Sequence, residues 1–362
     1  MTNLELSNIT LQKLCEEQGE PYRHITSGGF DGPRKIRTID APMLVNFHRA
    51  DMYCGRVRDV VVFGKSYVTD QPGRGVFLGQ SHRDYNLNAF AQSYVEEIVA
   101  ETRQNPLIEE ECCFLGGAKP FGHFIFEYLY RLPAFDVADL SKRLPVILFD
   151  DFPEEWVSFL ELYGVPPQNI FRIPRYPAVR FKSVWIAPCP NALGRDRNYR
   201  LWDDGIHKLR NTLRANALQD NHPPGPKRLF LGRKGAAHRR LLNEDALWEM
   251  LAAREFERAD FVGLSAAEQV RLVANAQLIV SVVGSASPIT SFAPDNCTII
   301  EIRPPNVVGA LGSFGFAVVI GQRLNWVESK ILAWDSSKPP IDQDTEVDID
   351  SVRDLVDRAL KP

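Results

Sequence analysis

The sequence predicts an α/β protein made of two doubly wound lobes behind a β-rich N-terminal extension. Three observations carry that expectation. With 362 residues the chain exceeds one small core and suits two domains of roughly 100 to 200 residues each. Short continuous apolar runs such as "PVILFD", "RLFLG", "LIVSVV" and "TIIEIR" alternate with amphipathic segments, the pattern of parallel strands covered on both faces. Hydrophobic residues at 44% and charged residues at 24% are ordinary globular values, so the whole chain is expected to fold.

The elements follow in order. From about residue 30 to 80, β-like pieces broken by Gly, Pro and Asp, including "VRDVVVFGKSYVTD" and "RGVFLG", read as antiparallel hairpins. "LNAFAQSYVEEIVAETR" reads as a helix, and after it "CCFLGG", "FGHFIFEYLYRL", "PVILFDD" and "FKSVWIAP" alternate strand and helix. The charged helix "RLWDDGIHKLRNTLRANAL" runs into "QDNHPPGPK", a Pro- and Gly-marked linker, which sets the expected domains at 1–220 and 221–340. In the second, "RLFLG" is a strand and "NEDALWEMLAAR" a helix with Asn243 as N-cap; "FVG" closes the next strand. Ser265 and Glu268 fit a capping box, and "LIVSVV" leads into "GSAS", where Ser287 can cap a helix with Pro288 in its first turn. Residues 341–362 read as an acidic linker, whose "DQD" (Asp342 to Asp344) is solvated charge, and one amphipathic helix.

Several function classes drop out. Lys and Arg number 42 against 46 Asp and Glu, a net charge of −4, so no broad basic surface invites nucleic acid. The longest apolar runs fall well short of the roughly 20 residues that span a bilayer, so any membrane contact is peripheral, at the inner face of a cytoplasmic setting. The polar, acidic start lacks a signal-like leader. Six cysteines show no CxxC pair, which reads as reduced thiols, and no convincing metal site is present. G-x-S-x-G, GxxxxGK[ST] and GxGxxG are all missing.

Three constellations carry chemistry. Arg233 and Arg240 stand out in a cluster of cations just past the "RLFLG" strand, where open α/β sheets take ligands and where guanidinium groups suit phosphate oxygens. Taken singly, each also reads as a turn cation paired with Glu244 or Asp245. "VVGSASP" supplies Gly284, Ser285, Ala286 and Ser287 as a strand-to-helix turn that can cradle phosphate, although such a turn is also ordinary connecting chain. His123, Glu127 and Arg131 recur every four residues on one helix face, so His123 and Glu127 form either a general-base pair or an internal hydrogen bond. Gly116, Gly117 and Gly122 would let a ligand approach that helix. Asp150 and Asp151 are strand-end carboxylates ranked below Glu127, and Glu301 is a candidate acceptor for ribose hydroxyls.

The run from "RLFLGRKGAAHRRLLNED" through "SVVGSASPITSFAPDNCTIIEIRPP" resembles the C-terminal half of family 61 glycosyltransferases. "FGHFIFEYLYRLPAF" is similar to that family's His/acid helix ending in Leu-Pro. The resemblance implies a GT-B-like architecture, two Rossmann-like lobes facing a cleft, and an inverting, metal-independent transfer from a nucleotide sugar to a glycan or glycolipid acceptor. It implies no cofactor, since the nucleotide sugar is a substrate. By position, Arg233 and the run Arg240 to Glu244, with Asn243, match the family's Arg and R-x-x-N-E pattern, and Gly284 its His-Gly-Ala turn. The chain departs from it in having Val283 for the His and Ser285 for the Ala, which shifts the expected work onto the arginines and backbone amides. The expected base is Glu127, or His123 partnered by it. A nucleotide-sugar epimerase and a catalytically silent binding subunit of a polysaccharide assembly complex stand as rivals.

Overall fold

The apolar runs pair into parallel sheets in a computed structural model of the chain. It describes residues 3–26, 32–36, 43–49, 51–63, 67–71, 74–77, 105, 107–117, 121–175, 177–187, 191–193, 199–219, 222–305, 311–339 and 342–361. The helix expected over "LNAFAQSYVEEIVAETR" lies outside the described residues. By residue contacts the chain divides into one unit of Met1–Gly32 with Phe47–Leu209 and another of Pro33–Asn46 with Arg210–Pro362.

The strands begin with β1 (Tyr22–Ile25), β2 (Gly32–Ile36) and β3 (Met43–Arg49). A meander of β4 (Met52–Phe63), β5 (Tyr67–Gln71) and β6 (Arg74–Phe77) follows, antiparallel throughout, with β1 on β4, in keeping with the early Gly and Asp breaks. Next come β7 (Leu107–Ile108), β8 (Cys112–Phe114), β9 (Val146–Phe149), β10 (Ile170–Ile173) and β11 (Val179–Ile186), then the short β12 (Asn191–Leu193) and β13 (Tyr199–Leu201). β10, β9, β8 and β11 lie side by side and parallel, and the far edge of β11 takes β4 antiparallel. Counting from β8, their spatial order is 3-2-1-4, which reverses direction between β8 and β11. At such a reversal the connections leave on opposite faces and open a crevice at the strands' carboxyl ends.

The second unit is the plainer sheet. β14 (Arg228–Leu231), β15 (Glu257–Arg258), β16 (Leu278–Val282), β17 (Thr298–Arg303) and β18 (Arg323–Glu328) are all parallel, ordered β15-β14-β16-β17-β18. Counted along the chain this is 2-1-3-4-5, with its switch point between β14 and β16. The buried strand residues Phe230, Val280, Ile300 and Ile302 pack on Leu247 and Leu251 of the Glu244–Ala252 helix. Ser265 and Glu268 form the full capping box at the start of the Ala266–Val273 helix.

Three expectations change. β15 is Glu257–Arg258, so the strand lies before "FVG"; Phe261–Gly263 is a turn in which Val262 is 88% exposed and Gly263 sits at φ +75°. The acidic tail is bound rather than solvated: Leu241 bridges Thr345, Lys330 bridges Glu346, and Gln343, Thr345 and Val347 are buried. The Ile349–Ala359 helix then sends Val352, Leu355 and Val356 into the second unit's core. The "FGHFIFEYLYRL" segment is not one regular helix but a turn of α-helix (Phe121–His123), a π-helical stretch (Phe124–Tyr128), a 3₁₀ turn (Leu129–Arg131) and a second α-helix (Leu132–Val137).

Because Val356 is fully buried among these side chains, Val356→Asp would put an unpaired carboxylate in the core, at a cost of at least about 3 kcal/mol. Thermal unfolding should show the second unit's transition lost or strongly lowered. A midpoint within about 2 °C of the wild type would contradict a packed tail.

Candidate functional site

Arg233 is placed by the end of β14. Gly232 follows the strand and leaves no room for a Cβ, because the Glu244 carboxylate lies against it. That carboxylate, 7% exposed, accepts from the Arg233 amide at 2.7 Å and the Lys234 amide at 3.1 Å, and pairs with Arg258. Glu244 therefore fills the strand-end amides itself and is a structural anchor rather than a ligand group. Asn243 is another: its Nδ2 donates to the Val347 carbonyl at 2.8 Å and its Oδ1 accepts from the Val347 amide at 3.1 Å. It therefore clamps the tail, and its side chain does not cap the helix it precedes.

The Arg233 guanidinium folds over the loop that follows. Nε donates to the Arg239 carbonyl at 3.1 Å and Nη2 to the His238 carbonyl at 2.8 Å. Nη1 lies so close to Gly284, just past β16, that any Cβ there would strike it. Arg233 and the Gly284 turn thus meet at the switch point between β14 and β16. Burial, and then the Arg239 cation nearby, pull the Arg233 guanidinium down to about 10. A cation held partly out of water beside a like charge favours an anion as its next neighbour.

Arg240 does not join this group. Its side chain is 55% exposed and its Nε and Nη2 donate to Asp344 Oδ2 at 3.0 and 2.6 Å. The chain turns at Arg239, which holds the left-handed φ of +56°, so adjacent arginines point apart. Arg239, in the same cluster of cations but not singled out from the sequence, is placed differently. It is half-buried, with a buried Nε that has no hydrogen-bond partner among the described residues, and burial lowers its pKa. A left-handed conformation at a non-glycine residue carries no sequence signal.

Beyond Gly284 the expected capped helix is a six-residue 3₁₀ turn, Ser287–Phe292, with Ala286 at its start. Ser287 does not cap it; buried beneath the turn, its Oγ accepts from the Gly284 amide at 3.0 Å. Ser285 and Ala286 are half-buried on the turn, and neither amide donates to a described residue. Val283, in place of the family's His, is 5% exposed and extends the sheet through its amide to Ile302. Glu301 is buried and accepts from Arg303 Nε and Nη2 at 2.9 and 2.6 Å, while Arg303 stacks 4.7 Å from the Trp326 ring. The carboxylate expected to meet a ribose is thus engaged by its strand neighbour.

The first unit has a second group at its own switch point. β8 runs into Gly116 at φ +74° and Gly117, where a Cβ would enter the Phe152 ring. Two residues into the following helix, His123 Nδ1 meets Glu127 Oε1; His123 is 46% exposed and Glu127 only 5%. Gly122, half-buried, precedes the pair. A Glu127 carboxylate that accepts from Nδ1–H fixes the ring tautomer protonated at Nδ1. Arg131 leaves this stripe: fully buried, it donates to the Leu115 carbonyl at 2.8 Å. Asp151 is engaged by Arg175 Nε and Nη2 at 3.2 and 2.9 Å, and Arg175 also reaches the Gly117 carbonyl at 3.0 Å. Asp150 is exposed, with its amide on the Ile173 carbonyl. The described cysteines, Cys15, Cys54, Cys112, Cys113 and Cys297, are free and buried, and burial pushes Cys15 and Cys297 up to about 12. Cys189 lies outside the described residues. Among the described residues no His, Cys, Asp or Glu cluster suits a metal, and no helix is long and apolar enough to cross a membrane.

One mixed sheet with a parallel run and one wholly parallel sheet, each with glycines and charged side chains at its switch point, define an α/β protein of the class that takes ligands at strand carboxyl ends. The family model for Glycosyltransferase 61 matches residues 121–300, a span that holds His123, Glu127, Arg233 and Gly284. That match assigns the span to the Glycosyltransferase 61 family and supports a glycosyltransferase. No curated protein matches it significantly.

The Arg240 hydrogen bonds hold the Asp344 carboxyl well below the usual carboxylate range. A depressed folded-state pKa adds stability that is present above the unfolded value, about 4, and is lost as pH falls through the folded one. Urea unfolding should therefore find Arg240→Ala slightly less stable than wild type at pH 7, with the gap closing towards pH 2. A gap that is the same at both pH values would contradict the pairing.

Proposed function

We propose that the chain is an inverting, metal-independent transferase that moves a sugar from a nucleotide-sugar donor to a glycan or glycolipid acceptor in surface-polysaccharide assembly. The second unit takes the donor and the first the acceptor, the division of labour of a GT-B enzyme. The observation that carries the reading is the Arg233 guanidinium laid against Gly284 at the β14/β16 switch point, within the family-matched span. The site is built for anionic oxygens, and guanidinium groups can neutralise a departing diphosphate in the role a divalent cation otherwise plays.

In this reaction His123 Nε2 removes the proton from an acceptor hydroxyl, with buried Glu127 holding the ring and balancing the imidazolium that forms. The hydroxyl oxygen bonds to the anomeric carbon from the face opposite the diphosphate, and the carbon–oxygen bond to the leaving group breaks. The electron pair goes with the nucleoside diphosphate, whose growing charge falls on Arg233 and the Ser285 and Ala286 amides. The exposures of the two residues favour His123 over Glu127 as the group that touches the acceptor.

His123→Gln should lower kcat by about 100- to 10,000-fold, and Glu127→Gln should lower it too, while calorimetry finds nucleoside diphosphate affinity unchanged in both. Donor consumed with no acceptor present would instead indicate an epimerase or hydrolase. Full turnover by both variants would place the base elsewhere.

A further inference from the structure

We propose that Arg239 is the second guanidinium on the donor's phosphates, held in a strained backbone conformation so that it faces the same anion as Arg233; the assignment rests on the donor-site reading above.

The loop from Lys234 to Arg240 is tied to Arg233 at its far end, through the carbonyls of His238 and Arg239. Its last turn is made by Arg239 itself at φ +56°, a conformation that glycine adopts freely and other residues at a cost. Arg239 has a local alternative that its neighbour uses: Arg240 beside it is neutralised by Asp344. At the strained turn only Arg240 takes that ion pair, and Arg239 stays out of it. The Arg239 amide donates to the Asp342 carbonyl at 3.3 Å, which pins the turn to the tail.

The resulting side chain is half-buried, and its Nε, shut away from water, has no hydrogen-bond partner among the described residues. A guanidinium donor left buried and unsatisfied is costly unless something else supplies an acceptor. Arg239 is close enough to Arg233 for its charge to depress the latter's pKa, so the two cations share one neighbourhood. Asp342 is the carboxylate that favours the Arg239 cation, and Glu244 already accepts from two amides and Arg258. A partly desolvated cation laid against a turn with undonated amides, with a second such cation close to it, calls for a compact ligand with several anionic oxygens. A phosphoanhydride has that chemistry; a single carboxylate cannot serve both arginines and the turn together.

Titration calorimetry of the full chain with inorganic pyrophosphate and with uridine and guanosine diphosphates tests this. Arg239→Ala should weaken the ligand that binds by about 10- to 100-fold, whereas Arg240→Ala should stay within about twofold. Arg239→Gly removes the side chain and relieves the left-handed strain, so it should lose the same affinity while unfolding no earlier than wild type. Wild-type affinity in Arg239→Gly, beside binding abolished in Arg233→Ala, would overturn the role of Arg239 and leave the donor site standing. Undiminished binding in both Arg233→Ala and Arg239→Ala, or none by the wild-type chain, would overturn the donor-site reading itself.

Discussion

The guanidinium of Arg233 spends two nitrogens on the carbonyls of the loop that follows it and lays the third against a glycine one strand away in the sheet. That contact decides the rest of the second unit's upper edge. Position 284 must be glycine, or the cation moves. Gly232 must be small, because Glu244 rises beside it to hold the amides of Arg233 and Lys234. Glu244 in turn sits at the start of a helix whose other end packs in the core, and Arg258 of the neighbouring strand neutralises it. These anchors are satisfied by bonds within the unit, while the Ser285 and Ala286 amides donate to no described residue.

Both units reach the same outcome by different strand orders. In one the reversal falls between β8 and β11, in the other between β14 and β16, and each places a glycine-bearing turn at the carboxyl end of its first parallel strand or of that strand's neighbour. The chemistry set there differs in kind. The first unit offers an exposed histidine paired with a buried carboxylate; the second offers cations half out of water.

Local patterns in the sequence were enough for the features that depend on local chemistry. The capping box at Ser265 and Glu268, the apolar strands of the second sheet and the His123–Glu127 pairing at four-residue spacing all involve near neighbours, and periodicity or a cap motif reports them. What escaped depends on partners far along the chain. Asn243 and Arg240 are each satisfied by residues 104 positions away, in a tail whose acidity reads as solvated linker. Ser287 turns back onto Gly284 because its Oγ meets an amide the turn would otherwise bury, so a cap-like serine serves the loop and not the helix. That Arg240 and not Arg239 pairs with Asp344 goes with a left-handed turn at Arg239, which residue identity does not encode.

The most direct measurement is a crystal structure of the chain with a bound nucleoside diphosphate. Phosphate oxygens should lie within hydrogen-bonding distance of the Arg233 guanidinium and the Ser285 or Ala286 amide, at the carboxyl ends of β14 and β16. Phosphates bound elsewhere, with Arg233 still confined to its two carbonyls and Gly284 untouched, would contradict it.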